Sequence, residues 1–91
     1  MFNKLKQFKD LRNQAKTLQN ALAQESVSYE KNSVKITMNG NMEITKLAIN
    51  TDAQKEKLEN ILTDVINEAI KQAQKLMAKK VQEMGGIQGF N

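Results

Sequence analysis

The sequence predicts an α+β protein: a helix, three antiparallel strands and a second long helix, in the order α-β-β-β-α. Three observations carry this. Apolar residues recur every three or four positions in the first and last thirds of the chain and every second position in the middle third. An Asn39-Gly40 pair sits between two of the alternating segments, the residue pair that hairpin turns favour. Proline is absent, so nothing in the chain forces a break in a long helix. At 91 residues the whole chain, 1–91, reads as one domain.

The first helix is expected over residues 3–24. Phe8, Leu11, Ala15, Leu18 and Leu22 alternate spacings of three and four, with Leu5 extending the stripe toward the N-terminus. So narrow a seam suits packing on another helix better than on a broad sheet.

Three strands are expected at about 26–30, 33–38 and 42–49. Val27 and Tyr29 share one face, as do Val34, Ile36 and Met38, and then Met42 and Ile44. A two-residue loop at Asn39-Gly40 would place the apolar sets of the last two strands on opposite faces. A three-residue loop keeps them together, with Gly40 or Asn41 left-handed. The alternation then slips: the next inward position is Lys46, yet the apolar residues are Leu47 and Ile49. Two readings fit. One extra residue at Thr45-Lys46 forms a β-bulge and restores the phase, or the strand ends near Thr45 and Leu47–Ile49 belong to a bent connection.

The second helix is expected over 52–83, with Thr51 as its cap, Gln54 three positions on and Asp52 in the first turn. Leu58, Ile61, Leu62, Val65, Ile66, Ala69 and Ile70 form a wide apolar face, continued more thinly by Ala73, Met77, Val81 and Met84. Gly85-Gly86 is a stop signal, and the tail 85–91 is expected to be mobile.

These lengths argue against a monomer. Some 32 helical residues at about 1.5 Å each span roughly 48 Å, whereas strands of six to eight residues span only roughly 20 to 26 Å. The narrow seam of the first helix cannot cover the wide stripe of the second, and a three-stranded sheet has two open edges. A second copy solves both problems, with Leu58, Ile61, Leu62, Val65, Ile66, Ala69 and Ile70 as the expected dimer interface.

Charge is polarised. Lys plus Arg is 14 and Asp plus Glu is 10, a net +4. Residues 1–16 hold Lys4, Lys6, Lys9, Arg12 and Lys16 against Asp10; residues 52–68 are acidic; residues 69–83 hold Lys71, Lys75, Lys79 and Lys80 against Glu83. Lys9, Arg12 and Lys16 line one helical face, and Lys71, Lys75 and Lys79 another. If the helices pack antiparallel, both basic ends project the same way. Two such arms on a dimer suit the phosphate backbone of duplex DNA. With a single Arg and no aromatic series, base readout and base stacking have little support.

Cysteine and histidine are both absent, which removes thiol chemistry, the imidazole base and the commonest metal ligands. No Walker loop, dinucleotide glycine pattern, zinc spacing or calcium loop is present. Asp64 and Glu68, one turn apart, read as a solvated helix face. The methionines read as core filler. The expectation is therefore no enzyme, no catalytic residue, no cofactor and no metal. No apolar run reaches a membrane-spanning length and the N-terminus has no secretory h-region, so a cytoplasmic protein is expected.

The order of these segments resembles the YbaB/EbfC family of bacterial nucleoid-associated DNA-binding proteins. Val34 to Thr37 with Asn39-Gly40 match a V-K-V-T-x-N-G-like strand and turn. Leu47, Ile49 and Asn50 correspond to a V-x-I-D-like third strand, and Asn67, Glu68 and Ala69 to an N-D/E-A-like core in the long helix. Tyr29 stands where family members usually carry glycine, and Asn50 where they usually carry Asp. The resemblance covers nearly the whole chain. It implies a tweezer-like homodimer binding duplex DNA with loose sequence specificity at the nucleoid, through protruding helices that here carry Lys9, Arg12, Lys16, Lys71, Lys75 and Lys79.

Two other functions compete. A protein-interaction adaptor would grip a partner along the thin seam around Phe8, Ala73 and Met77. Membrane-surface association would use the basic, amphipathic N-terminus with Phe2, Leu5 and Phe8. The latter ranks last, because the seam continues to Leu22 as helix packing does.

Overall fold

The computed structural model describes residues 3–84, with side chains from residue 7 onward. Its elements are α1 (Asn3–Ala23), β1 (Ser26–Lys31), β2 (Val34–Asn39), β3 (Ile44–Ile49) and α2 (Lys55–Glu83). The strands form one antiparallel sheet in the order β1-β2-β3. This is the expected α-β-β-β-α fold. The tail 85–91 lies outside the described residues.

The β1–β2 turn is a tight hairpin without glycine. Lys31 pairs directly with Val34, leaving Asn32 and Ser33 as a two-residue loop with φ of 50° and 64°. Two successive left-handed residues give the twist that joins antiparallel strands without splaying them.

The β2–β3 loop has three residues, as the apolar phase requires. Asn39 N–H donates to the carbonyl of Glu43 at 2.9 Å, and Met42 N–H donates to that of Asn39 at 3.0 Å. The left-handed residue, however, is Met42 at φ 63°, not Gly40 or Asn41. A type I turn followed by one left-handed residue is the common three-residue hairpin, and the third loop position takes that conformation. Met42 is thus a loop residue, half exposed, and β3 begins at Ile44 rather than at 42.

The slip in β3 is a bulge. Thr37 pairs with Lys46 and Met38 with Ile44, so Thr45 is the extra residue. Its hydroxyl donates to the Thr37 carbonyl at 3.3 Å. Beyond it Leu47 faces Ile36 and Ile49 faces Val34. The bulge puts Ile44, Leu47 and Ile49 on the core side together with Val34, Ile36 and Met38.

α2 starts three residues later than expected. The Thr51 hydroxyl accepts the Ala53 N–H at 3.2 Å, a local turn that ties up the side chain read as the helix cap. Gln54, with extended φ and ψ, is the N-cap and has no side-chain cap bond. Glu56 in the first turn still complements the helix dipole.

α2 lies over β1 and β2, leaving β3 at the margin. The core is Val34, Ile36 and Met38 beneath Ile61, Val65, Ala69 and Ala73. The two alanines let helix and sheet approach closely. Two ion pairs fix the direction of α2: Lys31–Asp64 at 2.8 Å and Lys80–Glu25 at 3.1 Å. Residues 64 to 80 span roughly 24 Å of helix and residues 25 to 31 roughly 20 Å of strand, so α2 runs antiparallel to β1. Its C-terminal end therefore lies beside the end of α1. The molecule is long, 62 × 20 × 18 Å.

Candidate nucleic-acid interface

α1 is held to the rest of the protein by its C-terminal end. Leu22 is buried, Leu18 and Ala21 are half-buried, and Leu11 and Phe8 are 40% and 70% exposed. The seam expected to pack on another helix is thus open over its N-terminal half. Lys9, Arg12 and Lys16 are exposed on α1, and none pairs with an acid among the described residues. Arg12 borders a shallow hollow with Phe8 and Leu11. The side chains of Lys4 and Lys6 lie outside the described residues.

On α2 the basic residues divide into two kinds. Lys75 and Lys79 are exposed and have no ion-pair partner among the described residues. Lys71 is exposed 3.8 Å from Glu68, an arrangement that is weak at a surface. Lys80 is half-buried, with its ammonium 3.1 Å from Glu25 and 3.8 Å from Glu83. Its charge is largely balanced inside the protein. Because α2 ends beside the end of α1, Lys75 and Lys79 share one end of the molecule with the α1 arm. The acidic half of α2 lies at the other end, where Asp64 is paired with Lys31. This hydrogen bond, and then the attraction of the carboxylate, hold the Lys31 ammonium above its ordinary pKa of 10.5.

The apolar face of α2 also divides. Ile61, Val65 and Ala69 are buried against the protomer's own sheet, as is Ala73. These side chains are therefore not available on the surface of the single chain, either to a second copy or, for Ala73, to a gripped partner. Leu58, Leu62, Ile66 and Ile70 are half-buried. They lie on the flank opposite Asp64, and Asp64 marks the β1 side, so this flank faces β3. There it meets Ile44, Leu47 and Ile49, exposed by 49%, 46% and 42%. Both sets stand on the α2 side of the sheet, the β3 side chains exposed and those of the α2 flank partly so. The phase slip around Lys46 left two readings for Leu47 and Ile49, and it is the bulge that places them on this side of the sheet. Lys35 and Lys46 were missed as exposed cations; both stand on the opposite, uncovered face of the sheet.

A family model for the YbaB/EbfC DNA-binding family matches residues 1–88. The chain belongs to that family. Membership agrees with the fold, the hairpin turn and the basic helices, and makes this YbaB/EbfC-family chain a nucleoid-associated DNA-binding protein. No curated protein matches it significantly. Among the described residues no helix is long and apolar enough to cross a membrane, and no cluster of acidic residues suited to a metal ion occurs.

Proposed function

We propose that this protein binds duplex DNA as a homodimer, chiefly through phosphate contacts from its basic helices, with little sequence preference. The observation that carries the reading is that five cations, Lys9, Arg12, Lys16, Lys75 and Lys79, are exposed and have no acidic partner among the described residues. Unpaired surface cations are what a polyanion can use, since each phosphate contact releases a condensed counterion. Lys71 adds a weakly paired sixth. A single Arg leaves little capacity for bidentate reading of guanine. Dimerisation is supported by the apolar surface of β3 and the α2 flank, which one copy leaves open to water. A role in nucleoid organisation and gene regulation follows from such binding.

Salt-titrated mobility shift on duplexes of unrelated sequence tests this. Binding should fall steeply with salt and differ little between sequences. The double variant Lys71→Glu, Lys75→Glu should weaken it on every duplex. Binding that ignores both salt and these charges would sink the proposal.

One observation favours a second reading: Phe8 and Leu11 expose apolar surface next to Arg12, which suits a protein partner gripped by α1. A co-purifying protein, retained by the parent and lost on Phe8→Ser, together with absent DNA affinity, would select it.

A further inference from the structure

We propose that the Asn39-Gly40-Asn41 turn is a clamp that sets the direction of the α1 arm. A helix leaves its last carbonyls without intrahelical partners; here the hairpin tip donates to one of them, that of Leu22, and to the flanking carbonyls of Gln19 and Glu25. Gly40 N–H donates to the Leu22 carbonyl at 2.9 Å and to that of Glu25 at 3.2 Å. The Asn41 side-chain amide donates to the Gln19 carbonyl at 3.0 Å.

Glycine is required here by closeness, since its φ is not left-handed. A Cβ at position 40 would lie 2.8 Å from both Cδ2 and the carbonyl oxygen of Leu22 and 2.9 Å from its Cβ. One of those contacts is backbone, so a repacked side chain cannot relieve it.

The turn is itself stiff. Asn39 is buried, its Oδ1 accepts the N–H groups of Asn41 at 2.9 Å and Glu43 at 3.1 Å, and its amide donates to the Glu43 carboxylate at 2.9 Å. From another side Lys80 holds Glu25. Leu22 is buried between these contacts at 2% exposure, while Phe8, Leu11 and Ala15 farther along α1 are exposed. The arm is therefore cantilevered from its final turns. The clamp reduces the conformational freedom that would otherwise be lost on binding. Asn39, Gly40 and Asn41 are positioning residues; they bear no positive charge and need not touch DNA.

The clamp itself can be tested without DNA; its consequence for affinity rests on the DNA-binding reading above. The chain has no cysteine, so Asn13→Cys and Asn60→Cys provide two spin-label sites, both exposed on α1 and α2. Labelled subunits are diluted with excess unlabelled protein so that distances within one chain are read. The parent should give one narrow distance distribution. Gly40→Ala should broaden or shift it, and Asn41→Ala, which removes one side-chain bond and leaves the backbone contacts, should do so less. Both variants should bind duplex DNA more weakly, Gly40→Ala by roughly three- to tenfold, with the salt slope unchanged because no charge is lost.

Should Gly40→Ala fail to fold, Asn41→Ala carries the test. A distance distribution unchanged in the variants overturns the clamp whatever the DNA result. A broadened distribution with undiminished DNA affinity, in a protein whose binding still depends on Lys75 and Lys79, overturns its positioning role. A broadened distribution in a protein that binds no DNA at all upholds the clamp and overturns the DNA-binding reading instead.

Discussion

Met38 and Ile44 are direct partners across β2 and β3, on the same face of the sheet, yet Met38 is 1% exposed and Ile44 49%. One strand separates the core from water. The cause is the placement of α2, which covers β1 and β2 and stops short of β3. Leu47 and Ile49 repeat the contrast with their buried partners Ile36 and Val34.

The first prediction concerns this margin. If a second copy covers it, polar substitution there weakens the dimer and leaves the protomer core intact. Ile44→Ser with Leu47→Ser should raise the dimer dissociation constant at least tenfold, about 1.4 kcal/mol. Sedimentation equilibrium reads this directly. Unfolding cooperativity of the dissociated variant, followed by circular dichroism, should persist because neither side chain is in the buried cluster. A parent that sediments as a monomer at micromolar concentration would refute the dimer itself.

Most of the fold was legible because the helical and the alternating periodicities fall in separate segments, the slip near Lys46 being the one place where two readings fit. The alternation of Val34, Ile36 and Met38 can only be a strand face, and the helical spacing of Ile61, Val65, Ala69 and Ala73 can only be a buried stripe. What was not legible depends on distances between segments. Periodicity cannot tell whether Ile61 faces its own sheet or a partner, and only the docked helix shows that Ile61, Val65 and Ala69 are buried while Leu62 and Ile66 flank the open edge. Likewise Asn39-Gly40 announced a hairpin, but the contact of Gly40 with Leu22 joins residues 18 apart and leaves no local pattern. Lys80 looked like any other arm lysine until Glu25, 55 residues away, proved to hold it.

The second prediction follows from that ion pair. Replacing both Lys75 and Lys79 with Gln should reduce the slope of log affinity against log salt by about 1.8 for each protomer whose lysines reach the duplex, and so by about 3.6 when both copies of the dimer do. Lys80→Gln alone should change the slope far less than either single change at 75 or 79, because its ammonium is already balanced by Glu25 and Glu83. Equal slope changes for all three lysines would show that the internal pairing gives way when DNA binds.

The third concerns the core. Ile36 is fully buried beneath α2. Ile36→Ala should destabilise the protein by about 2–5 kcal/mol, through lost transfer energy and the cavity left behind. Ala69→Leu tests the opposite limit: added bulk where helix and sheet meet should cost about 1–3 kcal/mol. Urea unfolding at fixed protein concentration measures both, since a dimer's stability varies with concentration. Neutral outcomes at both sites would mean that α2 is not seated on the sheet as found.

The last prediction is a pH dependence with a fixed sign. Lys31 and Asp64 tie the end of β1 to α2 at 2.8 Å. The hydrogen bond to Asp64, followed by its charge, raises the native pKa of Lys31 above the ordinary 10.5 of the unfolded chain. A raised lysine pKa means that the native state holds its proton more tightly than the unfolded state does. The pair's contribution is therefore whole below pH 10.5 and fades as the pH rises through the native value. Lys31→Met removes the charge while keeping most of the stem. Urea midpoints of parent and variant, compared from about pH 9 to about pH 12, should converge toward the alkaline end. Because the pair is exposed to solvent, the same gap should narrow with added salt at neutral pH. A gap that stays constant across both titrations would show that the difference between Lys31 and Met does not arise from the ion pair with Asp64.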